Sequence, residues 1–332
     1  MNRMLVVAGI LSAVIAGAWV GTHSARVSAA SQPAPLEAPV GAALLPGLGN
    51  YDFKITTRNP EVQRWFNQGL MLTFGFNHDA AERSFLKAAQ LDPDCAMCWW
   101  GAALVVGPHV NAQMDPADNP KAWQSLQRAV ALAPKVTERE RAFIHALESR
   151  YAENPPEDRR VLDEAFAKAT EALVAQRPAD LDARVFHAEA LMDLQPWDYY
   201  DEKLAPKGNT AAVVSLLESV MKENPNHAGA LHLYVHAVEA SADPQRGVVA
   251  ADRLRTLIPG SGHLVHMPAH IYARVGRWHD AVVANQAAIA ADGAADLIFM
   301  GKQAIDSEGL PTPYRLAQAL GLPVVTDVVK LT

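Results

Sequence analysis

A chain of 332 residues that is 50% hydrophobic and 20% charged carries enough apolar surface for one large or two medium folded domains. Its formal net charge of −7, with no block of five like charges, argues against a nucleic-acid partner, because nothing tracks a phosphate backbone.

The first predicted element is residues 1–29. Arg3 precedes an uncharged apolar run, Met4 to Val20, and the small residues Val27-Ser28-Ala29 follow it in the pattern a signal peptidase reads. A cleaved signal peptide, and hence a periplasmic or secreted protein, is the expectation. The alternative is an uncleaved N-terminal anchor on the outer face of the inner membrane, since the run is near the lower limit of roughly 17–25 residues for a spanning helix. Membrane contact is expected only in that case. Residues 30–58, opening Ala30-Ser31-Gln32-Pro33-Ala34-Pro35, read as an extended linker with no core of its own.

Beyond the linker an internal period dominates. Ala81, Phe85, Ala88 and Pro93 are spaced by four, three and five residues. The same spacing returns as Ala122, Leu126, Ala129, Pro134, as Val213, Leu217, Val220, Pro225, and as Gly247, Ala251, Leu254, Pro259. Small and apolar residues at i, i+4 and i+7 form one helix stripe, and the proline marks where that helix stops. Upstream, Trp65, Gly69 and Leu72 stand at the distances of the pattern W-x2-L-G-x2-Y, with Gln68 in place of the leucine. Trp99 recurs 34 residues after Trp65, and Tyr272, Gly276, Ala281 and Ala288 repeat the later part.

These residues resemble the tetratricopeptide-repeat (TPR) family, in the form of an exported bacterial-type member. The resemblance implies an all-α fold: a right-handed α-solenoid of about six helix pairs over 59–295, with insertions and a C-terminal capping segment at 296–332. Repeats are expected to begin near Val62, Ala96, Thr137, Leu181, Ala228 and Gly262, with insertions around 107–120, 152–160 and 195–210.

The histidines are unevenly placed, six of the twelve lying within 227–270. His232, His236 and Glu239 fall at i, i+4 and i+7, and His263, His266 and His270 at i, i+3 and i+7, each set on one helix face. Met267-Pro268 interrupts the second set. Either the helix bends between His266 and His270, or Pro268 begins it and leaves His270 alone. By the resemblance, the second, fifth, ninth and twelfth residues of each first helix line a concave groove. Those positions carry His145, Glu148, Glu189, Met192, His232, His236, Glu239, His263, His266 and His270.

Imidazole is the commonest protein metal ligand, and a neighbouring carboxylate ligates or orients it. His145, Glu189, His232, His236, Glu239, His263, His266 and His270 are therefore the candidate metal residues, for copper or zinc. Glu148, Met192, Trp100 and the loop residues His109 and Asn111 are candidate contacts to a small ligand, a peptide or a partner protein. Two other readings stay open: imidazolium recognition of an anion, and a hydrogen-bonded network with no ligand. The loop Trp197-Asp198-Tyr199-Tyr200 either packs as a satellite or covers the groove mouth.

Cys95 and Cys98 are the only cysteines. Trp99 stands where Cys-x-x-Cys-His would need histidine, so covalent haem is not expected. A local disulfide is the default for an exported protein, with a metal-binding pair or an active dithiol as alternatives. No Gly-x-Ser-x-Gly, Walker loop or Gly-x-Gly-x-x-Gly occurs, so neither a serine nucleophile nor a nucleotide is expected. The function expected is a scaffold binding a metal ion, small ligand or peptide for assembly or delivery. The alternative is a copper- or zinc-dependent enzyme using the same His/Glu groove.

Overall fold

The structure is a computed structural model that describes residues 41–292. The expected signal peptide (1–29) and capping segment (296–332) lie outside the described residues. Those residues are all-helical, with no β-strand among them beyond two isolated bridges, His109 with Ala112 and Tyr200 with Pro206. No helix among them is long and apolar enough to cross a membrane.

The helices are α1 (Pro60–Phe74), α2 (His78–Leu91), α3 (Ala96–Leu104), α4 (Asn119–Leu132) and α5 (Glu138–Glu148). They continue as α6 (Arg160–Gln176), α7 (Leu181–Asp193), α8 (Thr210–Glu223) and α9 (Ala228–Glu239). The last are α10 (Val248–Leu257), α11 (Gly262–His266), α12 (Pro268–Arg274) and α13 (Trp278–Asp292).

Their ends follow from local chemistry. Asn59 caps α1 through Glu61 N at 2.9 Å with Pro60 in the first turn, and Thr137 and Glu140 form a capping box on α5. Asp180 and His227 cap α7 and α9 with their side chains. Pro93, Pro134, Pro178, Pro225 and Pro259 each sit two residues beyond a helix, where a proline cannot continue it. The periodic stripes face inward: Ala81, Phe85, Ala88, Ala122, Leu126, Ala129, Leu217, Val220, Ala251 and Leu254 are wholly buried. Gly69 and Gly101 let α1 and α3 close on Phe85, since a Cβ at either would lie 2.7 or 2.4 Å from its ring.

The linker differs from expectation. Residues 41–58 have no regular secondary structure, yet they are not a free tether: Phe53 is 2% exposed and Leu48 7%. Phe53 packs on Phe66, Trp100 and Phe143 at ring-centroid distances of 5.5, 6.4 and 5.5 Å, and Phe186 extends the group to Phe74. Aromatic rings from α1, α3, α5 and α7 thus pack on one another and on Phe53.

Polar contacts hold the strap. Thr56 donates its backbone N–H and hydroxyl to Glu140 at 2.5 and 2.6 Å. Arg139 lies over the Phe53 ring and bridges Asp180 and Asp182, while Tyr51 donates to Asp182 at 2.5 Å. The chain also curls back on itself. α9 meets α1, where Gly229 lies so close to Phe74 that a Cβ would come within 2.7 Å of the ring.

Cys95 and Cys98 form a disulfide at the start of α3, both fully buried. That oxidised pairing removes the metal-thiolate and free-dithiol alternatives for the chain in this state.

Candidate metal centre

α9 is buried along Ala228–Val238, so its two histidines have no solvent-facing side to occupy. His232 and His236, one turn apart, point toward α11 and α12. Met267 keeps right-handed helical angles (φ −50°, ψ −38°), so the trace continues from α11 into α12 although Pro268 opens a new helix. Both sequence alternatives therefore hold in part. Pro268 begins a helix, yet the His266 and His270 rings stay 4.8 Å apart between centroids and His263 remains beside them.

The hydrogen bonds fix which nitrogen carries the proton. His232 Nδ1 lies 2.6 Å from the Phe74 carbonyl oxygen, an acceptor only, so Nδ1 is the donor and Nε2 keeps its lone pair. His236 Nδ1 donates to Glu239 Oε1 at 3.2 Å and His270 Nδ1 to Glu239 Oε2 at 2.6 Å. His266 Nδ1 donates to Asn285 Oδ1 at 2.6 Å, the Asn285 amide being oriented by its own bond to the Ala281 carbonyl. Every one of these four rings is thus pinned at Nδ1 by an oxygen and presents a bare Nε2.

These Nε2 atoms, with that of His263, form two close pairs. His232 Nε2 is 3.1 Å from His263 Nε2, and His266 Nε2 is 2.9 Å from His270 Nε2. His236 Nε2 is buried without a hydrogen-bond partner. His232, His236 and His263 can each offer one nitrogen with all three inside 4.8 Å of one another, close enough that a small inward shift would bring them onto one metal ion.

The electrostatics favour neutral, ligating imidazoles. Burial pushes His232 well below its ordinary value, and the neighbouring histidines push it further. Burial likewise lowers His236, and it takes His263 down to about 3 with help from His236, His266 and His270. Glu239 is the opposing charge. Burial works against its ionisation, but the hydrogen bonds from His236 and His270 outweigh that and hold it at about 2.

Two flanking groups escaped the sequence reasoning, and a third was one of its stated alternatives. Phe76, in the α1–α2 turn, has φ of 52°, a left-handed conformation costly for a bulky side chain. Its ring lies 4.5 Å from His232, 5.4 Å from His263 and 4.9 Å from His109. His78, held by the Val105 carbonyl at Nδ1, stacks 4.1 Å from His109 and leaves its Nε2 buried and unpartnered. The third is Trp197, placed in sequence on a satellite or groove-mouth loop. It sits edge-on to His236 at 5.2 Å while remaining 53% exposed, a cover over the cluster. A turn residue and an insertion residue carry no periodic signal, and only histidine content marked His78.

The other expected residues lie elsewhere. His145 is exposed and pairs with Glu148 at 2.5 Å, away from the cluster. Glu189 has Arg150 and Asp193 for electrostatic neighbours; burial raises its carboxyl to about 7 against the pull of Arg150. Trp100 is core, 2% exposed and donating its Nε1 to the Phe143 carbonyl, and Met192 is buried at 1%. Asn111 is exposed and reaches His109 only through its backbone N–H at 3.4 Å. For Trp100 the reason is visible: Phe53 of the strap packs on its ring.

No protein-family model and no curated protein sequence matches this chain.

Proposed function

We propose that this protein is an exported, TPR-like helical solenoid that binds a transition metal ion through His232, His236 and His263. The pairing of α1 with α2, α3 with α4 and onward, with helices beginning at Ala96, Leu181, Ala228 and Gly262, supports the repeat reading. The disulfide supports export, because an oxidised pair persists outside reducing compartments.

The metal reading rests on one observation. Three neutral imidazole nitrogens converge, and the Nδ1 atoms of two of them are oriented by oxygen acceptors, as the outer shell of a metal site requires. An all-nitrogen set suits zinc or copper(II). Recognition of an anion by imidazolium has no support at these three rings, since burial keeps them neutral.

Three protein ligands leave a coordination position open, which favours metal-dependent catalysis as a second reading beside binding and delivery. The test is elemental analysis of protein purified without a polyhistidine tag, before and after loading with zinc or copper. We expect stoichiometric metal in the wild type and its loss in His236→Ala/His263→Ala with helical content retained. Wild-type protein that holds no metal after loading would sink the proposal. Azide perturbing the copper(II) spectrum would show the open position; an unperturbed spectrum would favour storage or delivery over catalysis.

A further inference from the structure

We infer that His266 and His270 form a second metal position beside the three-histidine one, so that the centre holds two ions linked through Glu239. The inference rests on the metal reading above and extends it to a pair of residues outside the three-nitrogen set.

Its basis is the direction of two protons. Asn285 Oδ1 takes the Nδ1 proton of His266, and Glu239 Oε2 takes that of His270. Both Nε2 atoms then carry lone pairs, and they stand 2.9 Å apart. Two nitrogen lone pairs at that separation repel unless a cation lies between them, either a shared proton or a metal ion. With metal–nitrogen bonds of about 2.0–2.1 Å, a 2.9 Å separation subtends roughly 90° at an ion, the angle between adjacent ligands of a copper(II) or octahedral ion. The Nε2 atoms of His232 and His263, where only His232 has its Nδ1 proton fixed by an oxygen, stand 3.1 Å apart.

Glu239 ties the two positions together. One oxygen orients His236 of the first set and the other orients His270 of the second. The rings of the sets abut, His236 against His270 at 6.0 Å and His263 against His266 at 6.1 Å between centroids. A lone histidine pair with a metal needs further ligands, so the second ion keeps positions for water or a small anion. Two such ions side by side are the arrangement that binds and activates one oxygen ligand between them.

The experiment uses the full mature chain, stripped with a chelator, loaded with copper(II) and washed with glycine to clear surface sites. Copper per chain is measured by elemental analysis and unpaired spins by electron paramagnetic resonance. Two copper ions per chain are expected in the wild type, with fewer spins than copper because adjacent ions couple. His266→Ala/His270→Ala is expected to hold one copper with a full spin count, and His266→Gln/His270→Gln, a gentler change in volume, is expected to do the same.

One copper in the wild type overturns the second position and leaves the first intact; a histidine pair sharing a proton gives that result. Two coppers retained in both variants overturn it as well, because the second ion then lies elsewhere. No copper at all overturns the three-histidine reading together with this one.

Discussion

Replacing Glu239 by Gln should weaken metal binding as much as deleting a ligand, although Glu239 itself need not touch the ion. The carboxylate accepts two imidazole protons at once, from His270 at 2.6 Å and from His236 at 3.2 Å. Glutamine has one acceptor oxygen. The shorter bond to His270 should keep it, which turns the new amide N–H toward His236 Nδ1–H, donor against donor. His236 then has two escapes. It can move its proton to Nε2, which cancels the lone pair, or rotate its ring out of the set. Its Nε2 has no other hydrogen-bond partner to resist either change. Losing a residue that orients a ligand typically costs 10–100-fold in metal affinity, about 1.4–2.7 kcal/mol.

The assay is a competition titration against a chromophoric chelator, with circular dichroism as the check on fold. Within the cycle, Glu239→Gln/His236→Ala should bind no more weakly than His236→Ala alone, since both changes remove the same donor. Glu148→Gln, beside the exposed His145, is the control and should leave affinity unchanged. An affinity for Glu239→Gln within twofold of wild type would refute the reasoning, as would additive losses in the double variant.

Three further outcomes follow from the packing and charges. Gly101→Ala places a methyl 2.4 Å from the Phe85 ring, which Gly69 confines on its other side, and should cost about 1–3 kcal/mol in urea unfolding. Asp182→Ala leaves Arg139, Tyr51 and His227 facing a removed acceptor in a site 6% exposed, and should cost about 3–5 kcal/mol; limited proteolysis should then cut within 41–58 first. Glu189 has a folded value of about 7 against 4.5 unfolded, so its stabilising proton is fully held below pH 4.5 and lost as pH rises through 7. The melting temperature of Glu189→Gln should therefore gain on wild type between pH 5 and pH 8, by the equivalent of about 2 kcal/mol; a constant difference would remove Glu189 as the cause.

Much of the helix layout was legible because its determinants are local. A stripe such as Ala81, Phe85, Ala88 specifies which side of one helix is apolar, and a proline two residues past the last turn specifies where it ends. The clustering of His232, His236, His263, His266 and His270 was legible for the same reason, since one-face spacing is a property of a single helix. What those faces meet is not local. Position nine of a repeat puts His145, Glu189, His236 and His270 in register along the sequence, yet only His236 and His270 adjoin. Phe53 and Tyr51, in a segment with no period at all, pack among the helices instead, on Phe66 and on His227. A proline- and alanine-rich stretch reads as a tether, and two aromatic residues at its end are too few to reveal a strap.

The same packing explains why the histidines are informative where they remain. An interior that had only to be filled would extend the aromatic packing of Phe53, Trp100, Phe143 and Phe186 through α9, at no cost in buried polar atoms. Instead, α9 buries His232 and His236, whose ionised forms burial disfavours; their Nδ1 protons go to fixed oxygens, and the Nε2 of His236 is left without a partner. Each such nitrogen costs about 1–3 kcal/mol to bury without a partner. A hydrogen-bonded network with no ligand would have used that lone pair as well, and here it stands beside the nitrogens of His232 and His263. On the proposed metal reading a bound cation offsets that cost, and metal should then raise the melting temperature in proportion to the logarithm of its concentration above the dissociation constant. A melting temperature indifferent to zinc and copper(II) would return these histidines to the status of unexplained polar groups in an otherwise apolar helical core.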